Sequence, residues 1–149
     1  MRCRLPSLLV IAALGGCAQP EWLCINPQGV RSITVRSDAT AARTRAIAVD
    51  LVSVTEPTLA GEIAQLPARD FYARREQLVR DHPRSLHLVS LELAPDQSVG
   101  PVSVDTPCEP EATFVFASYD APGEHRARLD GADVATVVLG DRGFVVAAP

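Results

Sequence analysis

From residue 31 onward, apolar side chains fall at alternate positions in short runs broken by proline, glycine and aspartate. Ile33 and Val35 alternate with Ser32, Thr34 and Arg36. A period of two sends successive side chains to opposite faces of a strand, so this pattern demands β-structure with one covered face. The run 45–55 begins in the same way, with Ile47, Val49 and Leu51 in phase, and then slips to Val52 and Val54. The slip predicts a bulge near Leu51 and Val52. Residues 85–93 slip again, with Leu86 and Leu88 facing one way and Val89, Leu91 and Leu93 the other.

The remaining runs fit the same scheme. Residues 99–104 form a weak strand whose Pro101 suits a sheet edge, because proline has no N–H to donate. Residues 112–119 are apolar on both faces and belong at the centre of a sheet. Strands over 125–129, 133–139 and 144–147 follow, separated by Asp130-Gly131 and by a hairpin loop at 140–143. One stretch departs from the pattern. Over 70–79, Phe71 and Leu78, and Tyr72 and Val79, lie seven apart on one helical stripe, with Asp70 placed to cap the first turn and Pro83 closing the run. Residues 58–67 fit neither period. The sum is a mainly β chain, a two-sheet β-sandwich of about eight strands with one short helix inserted.

The N-terminus carries a different message. Arg2 and Arg4 precede the apolar run 8–14, which ends in Gly15-Gly16-Cys17. A charged start, an apolar stretch too short to span a bilayer and small residues make a secretory signal peptide. A cysteine directly after two glycines resembles a bacterial lipobox, which implies a diacylglycerol, with acyl chains such as palmitate, on Cys17 and cleavage of the chain just before it. The alternative is an ordinary signal peptide cut near Ala18. The lipobox reading divides the chain into a signal peptide at 1–16, a lipidated N-terminus and proline-containing tether at 17–30, and a β-sandwich domain at 31–149. By analogy with lipoprotein sorting, Ala18 rather than aspartate after the lipid points to the outer membrane, facing the periplasm.

Removing 16 of 149 residues leaves 133, enough for one domain with one core. Loss of Arg2 and Arg4 takes the formal net charge from −4 to −6. An acidic chain without a basic patch is a poor ligand for nucleic acid. Of the four cysteines, Cys3 leaves with the leader and Cys17 carries the lipid. Cys24 and Cys108 remain as an even pair in an exported chain, for which a disulfide is the natural assignment and two buried free thiols the alternative.

The order of these pieces resembles the outer-membrane lipoprotein of the type VI secretion system, the TssJ-type family. The residues that carry the likeness are the lipobox at Cys17, the strand pair 32–35 and 46–54, and the helix start at Asp70-Phe71 with Leu78 behind it. They continue with the strand 88–93 leading into Ala94-Pro95, and the strand 113–119 followed by Asp120, Arg126 and Arg128. His125-Arg126 stands where the family shows tryptophan-arginine. The resemblance implies a transthyretin-like sandwich and a non-catalytic scaffold subunit of the trans-envelope complex. It also implies that the first inter-strand loop holds the periplasmic domain of an inner-membrane partner. By position that loop is Asp38, Ala39, Thr40, Ala41, Ala42, Arg43 and Thr44, short for such a role.

The chain has no Gly-x-Ser-x-Gly, no His-Glu-x-x-His and no phosphate-cradling or dinucleotide glycine loop. His82, His87 and His125 lack metal-ligand spacing, so neither metal nor cofactor is expected. His82 with Ser85 is the one hydrolase candidate, against the plainer reading of His82 as a helix C-terminal residue. Glu109 and Glu111 flank Pro110 as solvated loop charges. An alternative to the secretion scaffold is a periplasm-facing lipoprotein that binds a small ligand or peptide, by strand addition at the edge near Pro101.

Overall fold

The computed structural model describes residues 30, 32–41, 45–104, 110–129 and 133–147. All four cysteines lie outside the described residues, as do Ala42, Arg43 and Thr44 of the expected contact loop.

Eight strands form two four-stranded sheets. The first has the order β4 (Ser98–Val102), β1 (Ser32–Ser37), β7 (Val134–Leu139), β8 (Phe144–Ala147). The second has the order β3 (Leu86–Leu93), β2 (Ile47–Val54), β5 (Ala112–Ala117), β6 (Arg126–Arg128). All neighbours are antiparallel except β1 and β7. The inward-facing residues Ile33, Val35, Ile47, Val49, Leu51, Leu93, Val115, Val137 and Leu139 bury one core between the sheets. The β-sandwich and its strand count are as the alternation required.

Two helices, not one, are inserted between β2 and β3. Helix α1 (Pro57–Ile63) occupies the stretch whose period was undecided, and α2 (Ala68–Asp81) follows. Glu56 caps α1, its carboxylate accepting from the N–H groups of Thr58 (2.9 Å) and Leu59 (3.0 Å). Those bonds hold the Glu56 carboxyl below the usual range, the Leu59 contact first among them. Asp70 does not cap α2. The cap position is Pro67, without a side-chain bond, and Asp70 sits in the first turn, where its charge favours the helix N-terminus. His82 is the C-cap. No helix among the described residues is long and apolar enough to cross a membrane.

The helices cover the outer face of the β3-β2-β5-β6 sheet and create a second core. Val52, Val54, Phe114 and Phe116 pack there against Leu59, Ile63, Ala68 and Phe71. The Phe71 and Phe116 rings stack at 4.1 Å and 9°. This second core removes the expected bulge. Strand β2 pairs with β3 without interruption from Ile47–Leu93 to Val54–Leu86. The change of apolar face at Leu51-Val52 marks burial of both faces, by the other sheet on one side and by helices on the other. The register shift lies instead on β1, between Ile33 and Val35 against β4. β4 with Pro101 is an edge strand, and β5 is buried throughout, both as read from the sequence.

Asp50 sits in the middle of β2 and is 2% exposed. Its carboxylate accepts from Nε of Arg75 on α2 at 2.6 Å, and Arg75 also donates to the Ser90 hydroxyl. Beside this pair the Tyr72 hydroxyl donates to the carbonyls of Ala48 (3.1 Å) and Phe116 (3.2 Å). Burial, reinforced by the Asp50 charge, raises the Tyr72 phenol far above its ordinary range. Polar bonds thus fix where α2 lies on an otherwise apolar sheet.

Candidate functional site

Strand directions place four connections at one end of the sandwich. They follow β1, β3, β5 and β7, with described residues 38–41, 45–46, 94–97, 118–125 and 140–143. Hydrogen bonds knit them together. The Asp38 N–H donates to Leu139 O (3.0 Å), the Ser37 N–H to Gln97 O (2.8 Å), and the Gln97 N–H to the Ser37 hydroxyl (3.0 Å). Residue 30 and the start of β1 lie at the opposite end, about 20 Å away by the length of a six-residue strand. The molecule therefore has a loop pole and a pole from which the N-terminal segment departs.

The described part of the expected contact loop is a tight turn built on Asp38. Its carboxylate accepts from the Thr40 N–H (2.8 Å), the Thr40 hydroxyl (2.6 Å) and the Ala41 N–H (2.8 Å), an Asx-type turn. Asp38 and Ala39 are exposed, Thr40 is half-buried and Ala41 is fully buried in the inter-sheet core. Ala41 plugs the core, so this loop offers a fixed, shallow surface of three residues before residue 42. Arg45 reaches back across the pole to Asp120 at 2.7 Å, a pair too exposed to contribute much stability.

Tyr119 and His125, which belong to no catalytic or metal-binding motif, organise the rest of the pole. The Tyr119 hydroxyl donates to Gly143 O at 2.8 Å and, more weakly, to Gly140 O at 3.2 Å. It thereby ties the end of β5 in one sheet to the β7–β8 hairpin of the other. Burial raises its pKa to about 12 despite the Gly140 bond, and the Asp38 charge adds to the rise. The His125 ring lies 4.8 Å from that of Tyr119, and its Nε2–H donates to Ala121 O at 2.7 Å. Gly123 has φ +152°, and a Cβ there would stand 2.9 Å from the His125 ring, so glycine is required for the loop to close over the imidazole. The only sequence signal was the pairing of turn residues Pro122-Gly123 with aromatic neighbours.

A Tyr119→Phe variant should unlock the hairpin, losing about 0.5–1.5 kcal/mol. The folded-state pKa is raised, so this phenol contributes its pH-linked stability below the ordinary value of 10 and loses it as pH rises toward about 12. Thermal melts from pH 8 to 12 should therefore fall more steeply for the wild type than for Tyr119→Phe.

An open groove of about 740 Å³ runs beside the pole between the start of α2 and the 118–125 loop. Pro67, Arg69, Asp70, Tyr72, Tyr119 and His125 are among its walls. The Tyr72 and Tyr119 hydroxyls and the His125 imidazole are engaged in the structural bonds just described, and they form no nucleophile–base pair. His82 and Ser85 meet only through a turn, the Ser85 N–H donating to His82 O at 3.2 Å. Among the described residues no group of three or more His, Cys, Asp or Glu could hold a metal ion. Arg126 pairs with Glu124 at 2.9 Å, and Arg128 lies 5.8 Å over the Phe114 ring. Both have structural partners of their own.

Comparison with solved structures finds the same architecture in components of one apparatus. The type VI secretion lipoprotein TssJ1 from Pseudomonas aeruginosa aligns with a TM-score of 0.56 at 15% identity, over 78% of this chain and 93% of that one. Lip from Serratia marcescens, a membrane-bound component of the type VI secretion system, gives 0.57 at 14%, over 79% and 96%. The C-terminal domain of the type VI secretion protein TssM from EAEC gives 0.59 at 11%, over 80% and 98%. These likenesses establish a TssJ-like β-sandwich fold. No protein-family model matches the chain, and no curated protein matches it in sequence.

Proposed function

We propose that this chain is a lipid-anchored, non-catalytic scaffold of a type VI secretion apparatus. Cys17 carries the acyl chains, and the loop pole holds the periplasmic domain of an inner-membrane partner. The observation that carries the reading is a conjunction: a lipobox ending at Cys17 precedes a sandwich shared with two secretion lipoproteins. The TssM domain has the same fold, so fold alone does not assign a side of the envelope. The leader favours the lipoprotein side, and Ala18 favours the outer membrane.

Geometry supports the division of labour. The tether joins the sandwich at the pole opposite 38–44, so a body anchored at Cys17 directs its four loops away from that membrane. The contact surface extends beyond Asp38, Ala39, Thr40 and Ala41. The 118–125 and 140–143 loops lie at the same pole and supply the area that a short loop lacks. A Cys24–Cys108 disulfide would shorten the tether.

Several acyl chains at about 0.8 kcal/mol per buried methylene hold such a domain firmly. A Cys17→Ser variant should move from the membrane fraction to the soluble periplasm and abolish secretion, while its purified domain keeps its melting temperature. Membrane retention of that variant in full would refute the anchor. Secretion unaffected by its release would refute the scaffold role.

A further inference from the structure

A β-sandwich of this topology has four sheet edges, and three of them are obstructed. β4 carries Pro101, which has no N–H, and a register shift faces it on β1. β3 bears His87, Ser90 and Glu92, and Arg75 of α2 is bonded to Ser90. β6 is three residues long, two of them arginines. Charge, brevity, proline and irregularity are the usual devices that keep edges from pairing.

The fourth edge, four residues long, has no charge, proline or irregularity. β8 reads Phe144-Val145-Val146-Ala147, without charge, proline or glycine, and three of its four residues are exposed. Val145 is 64% exposed and Val146 39%. The Gly140 N–H donates to Gly143 O at 2.8 Å, which makes 140 and 143 a hydrogen-bonded pair. Bonded and non-bonded pairs then alternate along the uninterrupted register Leu139–Phe144, Val138–Val145, Val137–Val146, Thr136–Ala147. Val145 and Ala147 therefore bond to β7, and Phe144 and Val146 turn their N–H and C=O groups outward. Among the described residues no strand meets them.

We infer that the β8 edge receives an extended segment of another protein, which adds as a ninth strand through the outward backbone groups of Phe144 and Val146. The segment is uncharged, free of proline and apolar at alternate positions, because it must cover Val146 on the core side and lie beside Val145 on the outer side. The choice of a different protein over a second copy rests on the anchored reading above. Antiparallel pairing of two β8 edges would invert one copy and carry its N-terminal pole away from the shared membrane. The edge is also continuous with the loop pole. β8 begins at the 140–143 hairpin, which is tied to Tyr119, and Asp38 bonds to Leu139 just before it. A partner seated on the loops is therefore placed to lay a strand down β8.

The test is photo-crosslinking with the full-length chain in intact envelopes. A p-benzoylphenylalanine replaces Val145 in one strain and Arg43 in another. The Val145 probe should capture one protein other than itself, through one extended peptide. Adding Val146→Pro, which removes the outward N–H without touching a β7 bond, should abolish that crosslink, and Val146→Ala should keep it. A charged variant, Val145→Lys with the probe at Ala147, should also lose capture. Capture of a second copy, no capture, or capture indifferent to Val146→Pro would overturn the inference. The Arg43 probe reads the loop contact separately. Capture at Val145 with none at Arg43 would sink the loop assignment and leave the edge standing, and the converse would do the opposite.

Discussion

Truncating Phe71 to alanine should cost about 3–5 kcal/mol, measured as a lower denaturant midpoint with an unchanged slope. Phe71 is fully buried and stacks face to face on Phe116, so truncation removes a whole ring from the second core. The loss is a large share of the about 5–15 kcal/mol that typically holds a domain together. Its consequence reaches the pole. α2 begins at Ala68, whose N–H donates to Glu124 O at 2.8 Å, so loosening α2 releases the 118–125 loop that His125 and Tyr119 organise. Val79→Ala is the matched control on the same helix. Val79 is 37% exposed, and its truncation should stay within about 0.5 kcal/mol. Equal effects at the two positions would show that α2 does not pack as described.

Replacing Arg75 with leucine should cost about 3 kcal/mol, because it strands the Asp50 carboxylate inside the protein. The figure sits at the low end for a buried pair because the Arg75 side chain keeps 32% exposure, against 3% for Asp50. The double replacement Asp50→Leu with Arg75→Leu should recover most of the loss, since two apolar residues remove the desolvation cost along with the bond. A thermodynamic cycle over the four proteins measures this directly. If Arg75→Leu alone is neutral, the pair does not hold α2 in place. If the double variant is as unstable as the single one, the cost lies in packing of the arginine stem rather than in charge.

The two core predictions share a reason with the places where the sequence misled. Alternation reports that a strand has two faces, and at β1 and β7 that was enough, because the side chains of one face are buried and those of the other are not. At β2 both faces are buried, so Val52 and Val54 after Leu51 looked like a slip. A switch of apolar face and a bulge leave the same local pattern. Asp50 inside that strand was the available signal of a specific partner, but its partner is 25 residues away on a helix, and no local rule links them. Helix α1 escaped for a related reason. It is only seven residues long, and one turn of apolar residues over 57–63 is too little to establish a period.

The chain by itself determined the strand positions, the turns between them, the edge character of Pro101 and the central place of β5. These follow from near neighbours: side-chain alternation and proline's missing donor. Only the tertiary structure decided that β1 lies parallel to β7, that helices make a second core, that four loops gather at the pole far from residue 30, and that no strand among the described residues covers the outer edge of β8. Each of those depends on which distant segments meet, and a one-dimensional pattern fixes what a segment must bury without specifying what will cover it.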